Sequence, residues 1–332
     1  MRHGLISFLF IESRWVKYED IFGAAFRRLG LNCKLYPLPA LPLEQRTLSN
    51  IMEIRRLISR LKRDSFVIFC PGSEELYLPE PDHLLVFSAY RSWGNSEKMT
   101  LIPHPWSAVR HPSEQEVVWD RKPPLSIGFM GTGYAQSKIA KLARYLPKTF
   151  RQLLLRSYHL QWPSLIGLFN SYGLPLKGLN AFARIETIAR LKQDQTPEVE
   201  VLDKVGFSGT DAERNDFVKH LIRNTYVVCP RGFENFSFRT YEALRYGRVP
   251  VIIDTDMRLP PQIDWNNVAL RVPYTKLNQI HSIIRYDYDS KRASQFLARQ
   301  RLALTTCERL NSNEWIDEAI KDCVMGRSSA AT

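Results

Sequence analysis

Apolar residues in the first hundred positions alternate between short continuous runs and stripes at helical spacing. Runs at 4–10 (GLISFLF) and 65–70 (SFVIFC) are typical of buried parallel strands. Between them, apolar residues from position 20 recur on one helical face until Gly30 closes the stripe. This alternation of strands and helices predicts a parallel sheet covered on both faces.

The same alternation resumes after a polar, proline-bearing stretch at 103–124, which we interpret as an interdomain linker. The pattern predicts helices at 136–145, 211–222, 237–246 and 276–285, and strands at 125–130, 199–202, 226–229, 249–253 and 268–272. Residues 150–196 show no clear period. We therefore expect an N-terminal domain over 1–123, a second domain over 124–287, and final helices over 288–332 that pack back onto the first domain.

Composition narrows the class of protein. The chain has 332 residues with 44% hydrophobic and 24% charged positions, which is ordinary for globular domains. No stretch approaches the roughly 18 apolar residues of a membrane span, and the N-terminus does not read as a secretory signal. Five scattered cysteines have neither zinc-ligand nor disulfide-framework spacing. We expect a cytoplasmic protein.

The net charge of +12 indicates an anionic partner. Nucleic acid, an anionic membrane and phosphorylated small molecules all fit that charge. No nucleic-acid-recognition motif is present, so a basic nucleic-acid-binding protein is the remote alternative and no nucleic-acid partner is expected. The basic helix predicted at 51–62 and the basic stretch 144–156 allow peripheral contact with the inner face of the cytoplasmic membrane, or are simply solvated helix faces.

The most informative segment, 226–256, reads as strand, loop, helix, tight turn and strand. Ser237 is placed to cap the helix through its side chain, and Gly247 to end it. Arg239 in the first turn adds a planar cation where a helix N-terminus already favours anions such as phosphate. Glu242 shares its face and offers two acceptor oxygens for a ribose diol. An ordinary surface Arg–Glu pair is the alternative.

These motifs resemble the exostosin-type glycosyltransferases, which include the animal heparan-sulfate polymerases and plant cell-wall galactosyl-, xylosyl- and arabinosyltransferases. The resemblance rests on CPRG at 229–232, SFRTYEAL at 237–244 and GRVPVII at 247–253, and continues through LP at 259–260 and IDW at 263–265. It is specific from about 125 to 285. One departure is the loop 233–236 (FENF), which is bulkier than the family's usual small-residue stretch.

The resemblance implies a GT-B architecture: an α/β fold with two Rossmann-like domains facing across a cleft. It implies that the second domain holds a nucleotide-sugar donor, most simply a UDP-sugar, and that the sugar is transferred with inversion to a hydroxyl of a saccharide or lipid-linked saccharide. Family members usually carry a membrane anchor. Its lack here suggests a soluble bacterial enzyme of surface-polysaccharide synthesis, such as capsule, O-antigen or exopolysaccharide. A GDP-sugar-dependent fucosyltransferase and a catalytically inactive scaffold are the alternatives.

Further donor contacts are expected where strands of the second domain end. Gly131 and Gly133 flank a tight loop after a strand, and this loop either approaches the diphosphate or simply turns. Arg231 either neutralises the donor phosphates or binds loop carbonyls. Asp254 and Asp256 imitate a metal-binding Asp-x-Asp pair, but we interpret them as a polar loop at a strand end. We expect no metal or cofactor to be needed beyond the donor, because the arginines and the helix N-terminus can stabilise the leaving diphosphate.

Inversion requires a group that takes the proton of the acceptor hydroxyl. In a GT-B architecture this base comes from the first domain. Glu74 is the first candidate because it follows a predicted central strand. Glu12 after the first strand and His104 beside the linker are the others, and each of the three can equally be an ordinary surface residue.

Overall fold

The computed structural model describes residues 6–11, 18–38, 66–70, 83–86, 89–90, 99–103, 118–132, 145–147, 149–151, 182–193, 196–204, 210–232, 235–312 and 314–325, with isolated positions between 49 and 59. Within these ranges the chain forms two parallel five-stranded sheets in succession.

The first sheet is built by strands from the first hundred residues. Its members in chain order are β1 (Ile6–Ile11), β2 (Cys33–Leu38), β3 (Phe66–Cys70), β4 (His83–Val86) and, after the short strand β5 (Ala89–Tyr90), β6 (Met99–Leu101). Their spatial order is β2-β1-β3-β4-β6, and each neighbouring pair is parallel. Helix α1 (Tyr18–Leu29) connects β1 with β2.

The second sheet follows the linker. The strands here are β7 (Ile127–Thr132), β8 (Val199–Lys204), β9 (Tyr226–Cys229), β10 (Val249–Asp254), β11 (Met257–Arg258) and β12 (Leu270–Pro273). All except β11 join one parallel sheet in the order β12-β10-β9-β7-β8. The central strands β9 and β10 are buried almost throughout, which explains their continuous apolar sequence.

Helices cover both faces of the second sheet. The helices described after the linker are α2 (Phe182–Gln193), α3 (Asp211–Arg223), α4 (Phe238–Arg245), α5 (Trp265–Val268), α6 (Ile280–Asp289), α7 (Ala293–Asn311) and α8 (Glu314–Met325), with a 3-10 turn at Tyr274–Gln279. Apolar residues of α2 and α6 pack on one face of the sheet. Those of α3 and α4 pack on the other.

The two sheets meet at their carboxyl edges. Strand β5 follows β4, β11 follows β10, and the two short strands pair antiparallel. At the other end of the chain, α8 returns to α1: Phe22 and Phe26 share an apolar cluster with Trp315 and Ile316. Across the rim of that contact, Arg28 forms an ion pair of 2.7 Å with Asp317.

The expected fold class is confirmed, since two Rossmann-like parallel sheets that approach through their carboxyl edges form the GT-B architecture. In the described part of the chain, no helix has both the length and the apolar character to cross a lipid bilayer.

Two local expectations differ from the structure. Helix α2 lies in the stretch that showed no period, because its buried residues include Arg184 and Thr187, which blur the apolar stripe. The strand expected at 268–272 starts later, at Leu270, because Val268 closes the short helix α5 with a backbone bond to Asp264. The helix expected at 136–145 lies almost entirely outside the described residues.

Candidate functional site

The carboxyl edge of the second sheet brings the sequence-predicted donor residues together. Strands β10, β9 and β7 are neighbours there, and α4 begins after the loop that follows β9. Ligands of open parallel sheets bind beyond the carboxyl ends of the strands. A helix that starts at that edge adds unsatisfied N–H groups and the positive end of its dipole. The topology therefore builds an anion-attracting edge.

Ser237 occupies the N-cap position of α4, with extended backbone angles (φ −136°, ψ 125°). Its hydroxyl makes no capping hydrogen bond, which corrects the expectation of a side-chain cap. The reason is local, because the Thr240 N–H bonds instead to the main-chain carbonyl of Ser237 at 3.1 Å. Before the cap, the N–H of Gly232 donates to the carbonyl of Phe236 at 3.0 Å and folds the loop back on itself.

Arg239 lies beneath the end of β7. Its Nη2 donates to the carbonyl oxygen of Met130 at 2.6 Å, and its guanidinium stacks 4.6 Å from the ring centroid of Phe129. A methyl group on Gly131 would sit 2.3 Å from the same nitrogen, and Gly131 has a φ of +149°. Gly131 is therefore required both for its backbone angle and for the space that Arg239 fills. The sequence pointed to both residues but not to their contact.

Glu242 lies one helical turn after Arg239 and is half-buried. Burial raises the pKa of its carboxyl to about 7, although the positive charge of Arg239 acts in the opposite direction. The carboxyl is therefore close to its titration midpoint at neutral pH. A group in this state can accept hydrogen bonds from a diol when ionised and donate one when protonated.

Arg231 is fully buried at the end of β9. Its Nη1 donates to Oδ1 of Asn235 at 3.3 Å. The same oxygen accepts a hydrogen bond of 2.7 Å from Thr255, which directly follows β10. Arg231 thus lies inside the strand-end loop and contributes its charge from within.

Arg184 was not anticipated from the sequence. It extends from the first turn of α2, and its guanidinium donates to three main-chain carbonyls: Arg231 at 2.9 Å, Pro230 at 3.1 Å and Thr132 at 3.5 Å. The side chain therefore joins the ends of β9 and β7. Its position within a segment without period left no signal by which it could be singled out.

Asp254 is engaged in holding the turn after β10. Its Oδ2 accepts a hydrogen bond of 2.7 Å from Arg271, and its Oδ1 accepts one of 3.1 Å from the N–H of Met257. Asp256 has a φ of +60°, as expected in a tight turn. These contacts give the first carboxylate of the Asp-x-Asp pair a structural role in orienting β11.

The remaining predicted site residues lie outside the described ranges. They are Gly133 of the tight loop, residues 233–234 of the bulky loop, and the three candidate bases Glu12, Glu74 and His104.

Comparison with known families agrees with the geometry of this edge. Residues 179–286, which contain Arg184, the loop after β9 and all of α4, match the family model of the Exostosin GT47 domain. The matched stretch begins just before α2 and ends within α6. The resemblance to exostosin-type glycosyltransferases is confirmed, and the match covers a shorter stretch than the expected 125–285.

Among curated relatives, this chain is similar to Exostosin-1 of Bos taurus, with 33% identity over 112 residues, or 30% of this chain. The Caenorhabditis elegans Exostosin-1 homolog is 36% identical over 72 residues, or 21% of this chain. The aligned stretch spans 15% of the bovine relative and 19% of the nematode one.

Solved structures resemble the whole chain at low identity. The Anabaena protein HepE, solved in complex with UDP, aligns with 97% of this chain and 100% of its own, at a TM-score of 0.44 and 10% identity. The lipopolysaccharide outer core galactosyltransferase WaaB aligns with 98% of this chain and 100% of its own, at 0.43 and 12%.

Proposed function

We propose that this protein transfers a sugar from a UDP-sugar to a hydroxyl of a saccharide acceptor, with inversion at the anomeric carbon. The observation that carries the proposal is the convergence of Arg239, Glu242 and the start of α4 at the carboxyl edge of the second sheet, within the GT47 domain. The positive charge at this edge follows from the fold, and the type of donor follows from the resemblance to the exostosin family.

In this reaction the acceptor oxygen forms a bond to the anomeric carbon as the bond from that carbon to the diphosphate breaks. The acceptor proton passes to a base, and the leaving diphosphate gains negative charge. Fixed positive groups that face a developing charge lower the barrier because they need no reorganisation. We assign this task to Arg239 and the first turn of α4, and the buried Arg231 would add to the same field.

Glu242 is proposed to bind the ribose hydroxyls of the nucleotide. Its position one turn deeper than Arg239 matches a nucleotide whose diphosphate lies at the helix start. A GDP-sugar would use the same diphosphate and ribose contacts. A comparison of the affinities for UDP and for GDP would distinguish a UDP-sugar donor from a GDP-sugar donor.

The proposal is tested by replacing Arg239 with Ala and titrating with UDP and with uridine. Loss of one charge-assisted interaction should weaken UDP binding by about tenfold to a hundredfold, while uridine binding changes little. Arg245→Ala is the matched control, because Arg245 belongs to the last turn of the same helix and stacks on Tyr246. Equal losses for UDP and uridine would make Arg239 a structural residue only.

A further inference from the structure

The proposed diphosphate site has an electrostatic difficulty. Strands β7, β9 and β10 are neighbours, and each leaves main-chain carbonyls at its carboxyl end. Carbonyl oxygens carry partial negative charge, so outward-facing carbonyls at this edge would repel a diphosphate. Hydrogen-bond donors are therefore needed to neutralise these oxygens and to hold the strand ends in one conformation.

Arg184 meets this requirement for two of the strands. Its Nε and Nη2 bond to the carbonyls of Arg231 and Pro230 after β9, and its Nη1 reaches that of Thr132 at the end of β7. The planar guanidinium provides five donors in a fixed fork, which a Lys ammonium cannot reproduce. With 9% of its surface exposed, the side chain is shielded from water, so these charge-assisted bonds are strong.

Asn235 continues the connection to the third strand. Its Oδ1 accepts hydrogen bonds from Arg231, after β9, and from Thr255, after β10. The residue is 3% exposed. The ends of β7 and β9 are therefore joined by Arg184, from a helix distant in the chain, and those of β9 and β10 by the bonds of the Arg231 and Thr255 side chains to Asn235.

We propose that Arg184, together with Asn235, is a positioning residue of the donor site: it holds the carboxyl ends of β7 and β9 together and neutralises the carbonyl oxygens that would face the diphosphate. The assignment rests on the proposed function. Arg184 is not assigned a contact with the donor or with the reacting sugar. Its effect on binding passes through the loop that ends at Ser237 and through the field of its charge.

The test uses the full-length protein with Arg184→Gln and Arg184→Lys. Arg190→Gln is the control, because Arg190 is on the same helix and bonds to the carbonyl of Asn278 instead. The first readout is hydrogen exchange of the Gly232 amide without nucleotide, since this N–H closes the loop after β9. We expect exchange at least about tenfold faster in Arg184→Gln and unchanged exchange in the control.

The second readout is affinity for UDP and for uridine. Arg184→Gln should weaken UDP binding about tenfold and leave uridine binding nearly unchanged. The reason is that the carbonyl oxygens repel the charged phosphates, which uridine lacks. Arg184→Lys retains the charge and should restore part of the UDP affinity, but not the slow exchange of Gly232. A purely structural arginine would affect both ligands equally, and Lys would not restore UDP binding selectively.

Thr255→Val keeps the assignment testable if Arg184→Gln does not fold. It removes the hydroxyl that donates to Asn235 and preserves side-chain shape, so it should speed exchange at Gly232 with a smaller loss of UDP affinity. Wild-type exchange at Gly232 in both Arg184→Gln and Thr255→Val would overturn the assignment. Absence of UDP binding by the wild-type protein would instead refute the proposed function, and the exchange results would still decide whether Arg184 fixes the loops.

Discussion

The charge of Glu242 responds to pH near neutrality. In the unfolded chain its carboxyl ionises near its ordinary value of 4.5, whereas burial raises the folded pKa to about 7. Folding therefore favours the protonated form. The stability that this group contributes is fully present below pH 4.5 and is lost as the pH rises through about 7. Glu242→Gln should remove this dependence.

The same shift predicts the pH dependence of ligand binding. A ribose diol donates to an ionised carboxylate, so affinity for uridine should increase as the pH rises through about 7 and then level off. Uridine is the appropriate ligand because a terminal phosphate titrates in a similar range, near pH 6. Isothermal titration should show a flat profile for Glu242→Gln. A flat or falling profile for the wild-type protein would exclude a carboxylate contact with the ribose.

Asp254 leads to a prediction about metal dependence. Its two oxygens accept hydrogen bonds from Arg271 and from the backbone of Met257. A divalent ion at this position would have to displace the Arg271 pair and would meet its positive charge. Sugar transfer should therefore continue in the presence of EDTA. Complete loss of activity on chelation, with recovery on addition of Mg²⁺ or Mn²⁺, would contradict this expectation.

At the level of residues, the sequence was informative where function depends on local spacing. Arg239 and Glu242 are three positions apart on one helix, so their shared face could be predicted. Arg184 is different, because its three acceptors lie 46 or more positions away, on either side in the chain, and only the folded sheet brings them together. The pairing of Gly131 with Arg239 depends on tertiary contact in the same way.

Helix α4 ends in a Schellman motif, and the contribution of this motif to stability can be measured. The N–H of Gly247 bonds to Leu244 at 2.9 Å and that of Arg248 to Ala243 at 2.9 Å. Gly247 has a φ of +62°, where a side chain is strained. A methyl group there would also lie 2.5 Å from Cγ of Gln300. The Oε1 atom of Gln300 accepts a hydrogen bond of 2.7 Å from the main-chain N–H of Trp119.

Gly30 is a matched control for Gly247. It follows α1, has the same φ of +62° and the same pair of backbone bonds, and a methyl group there would contact nothing within 4 Å. Gly30→Ala should cost about 1–2 kcal/mol from backbone strain alone. Gly247→Ala should cost distinctly more, as measured by urea unfolding, because Gln300 must also move. Equal losses in the two variants would show that the contact with Gln300 is easily relieved.

The predicted elements were most accurate where apolar pattern and capping residues agreed. Strand β9 has the predicted bounds, and α4 lies within the predicted 237–246, between Ser237 and Gly247. The predictions were weakest where burial includes polar side chains, as in α2, or where a single turn of helix interrupts an apolar run, as at α5. Both cases depend on tertiary packing, which a local pattern does not contain.

At the scale of the molecule, the carboxyl edges of both sheets approach each other. The pairing of β5 with β11 and the hydrogen bond of 3.3 Å from Gln262 to the carbonyl of Leu101 join the first sheet to the loops after β10. Ligands bind at such edges in parallel sheets, so an acceptor on the first sheet and a donor on the second would face each other. Alternation along the sequence predicted two sheets, and the family resemblance predicted that they face each other. The residues that join them, in β5, β11 and at Gln262, could be identified only from the fold.

The claim that the nucleotide binds at the carboxyl edge of the second sheet can be tested directly by photoaffinity labelling. The probe is 5-azido-UDP-glucose, and labelled positions are mapped by mass spectrometry with and without excess UDP. Binding at this edge predicts labelling that UDP suppresses, within peptides that carry residues 129–132 and 231–242. A pocket of about 500 Å³ beside the start of β12, lined by Trp265, Arg271 and Arg299 among others, is the internal comparison. UDP-sensitive labelling at 265–271 or 287–302 instead would contradict nucleotide binding at the carboxyl edge.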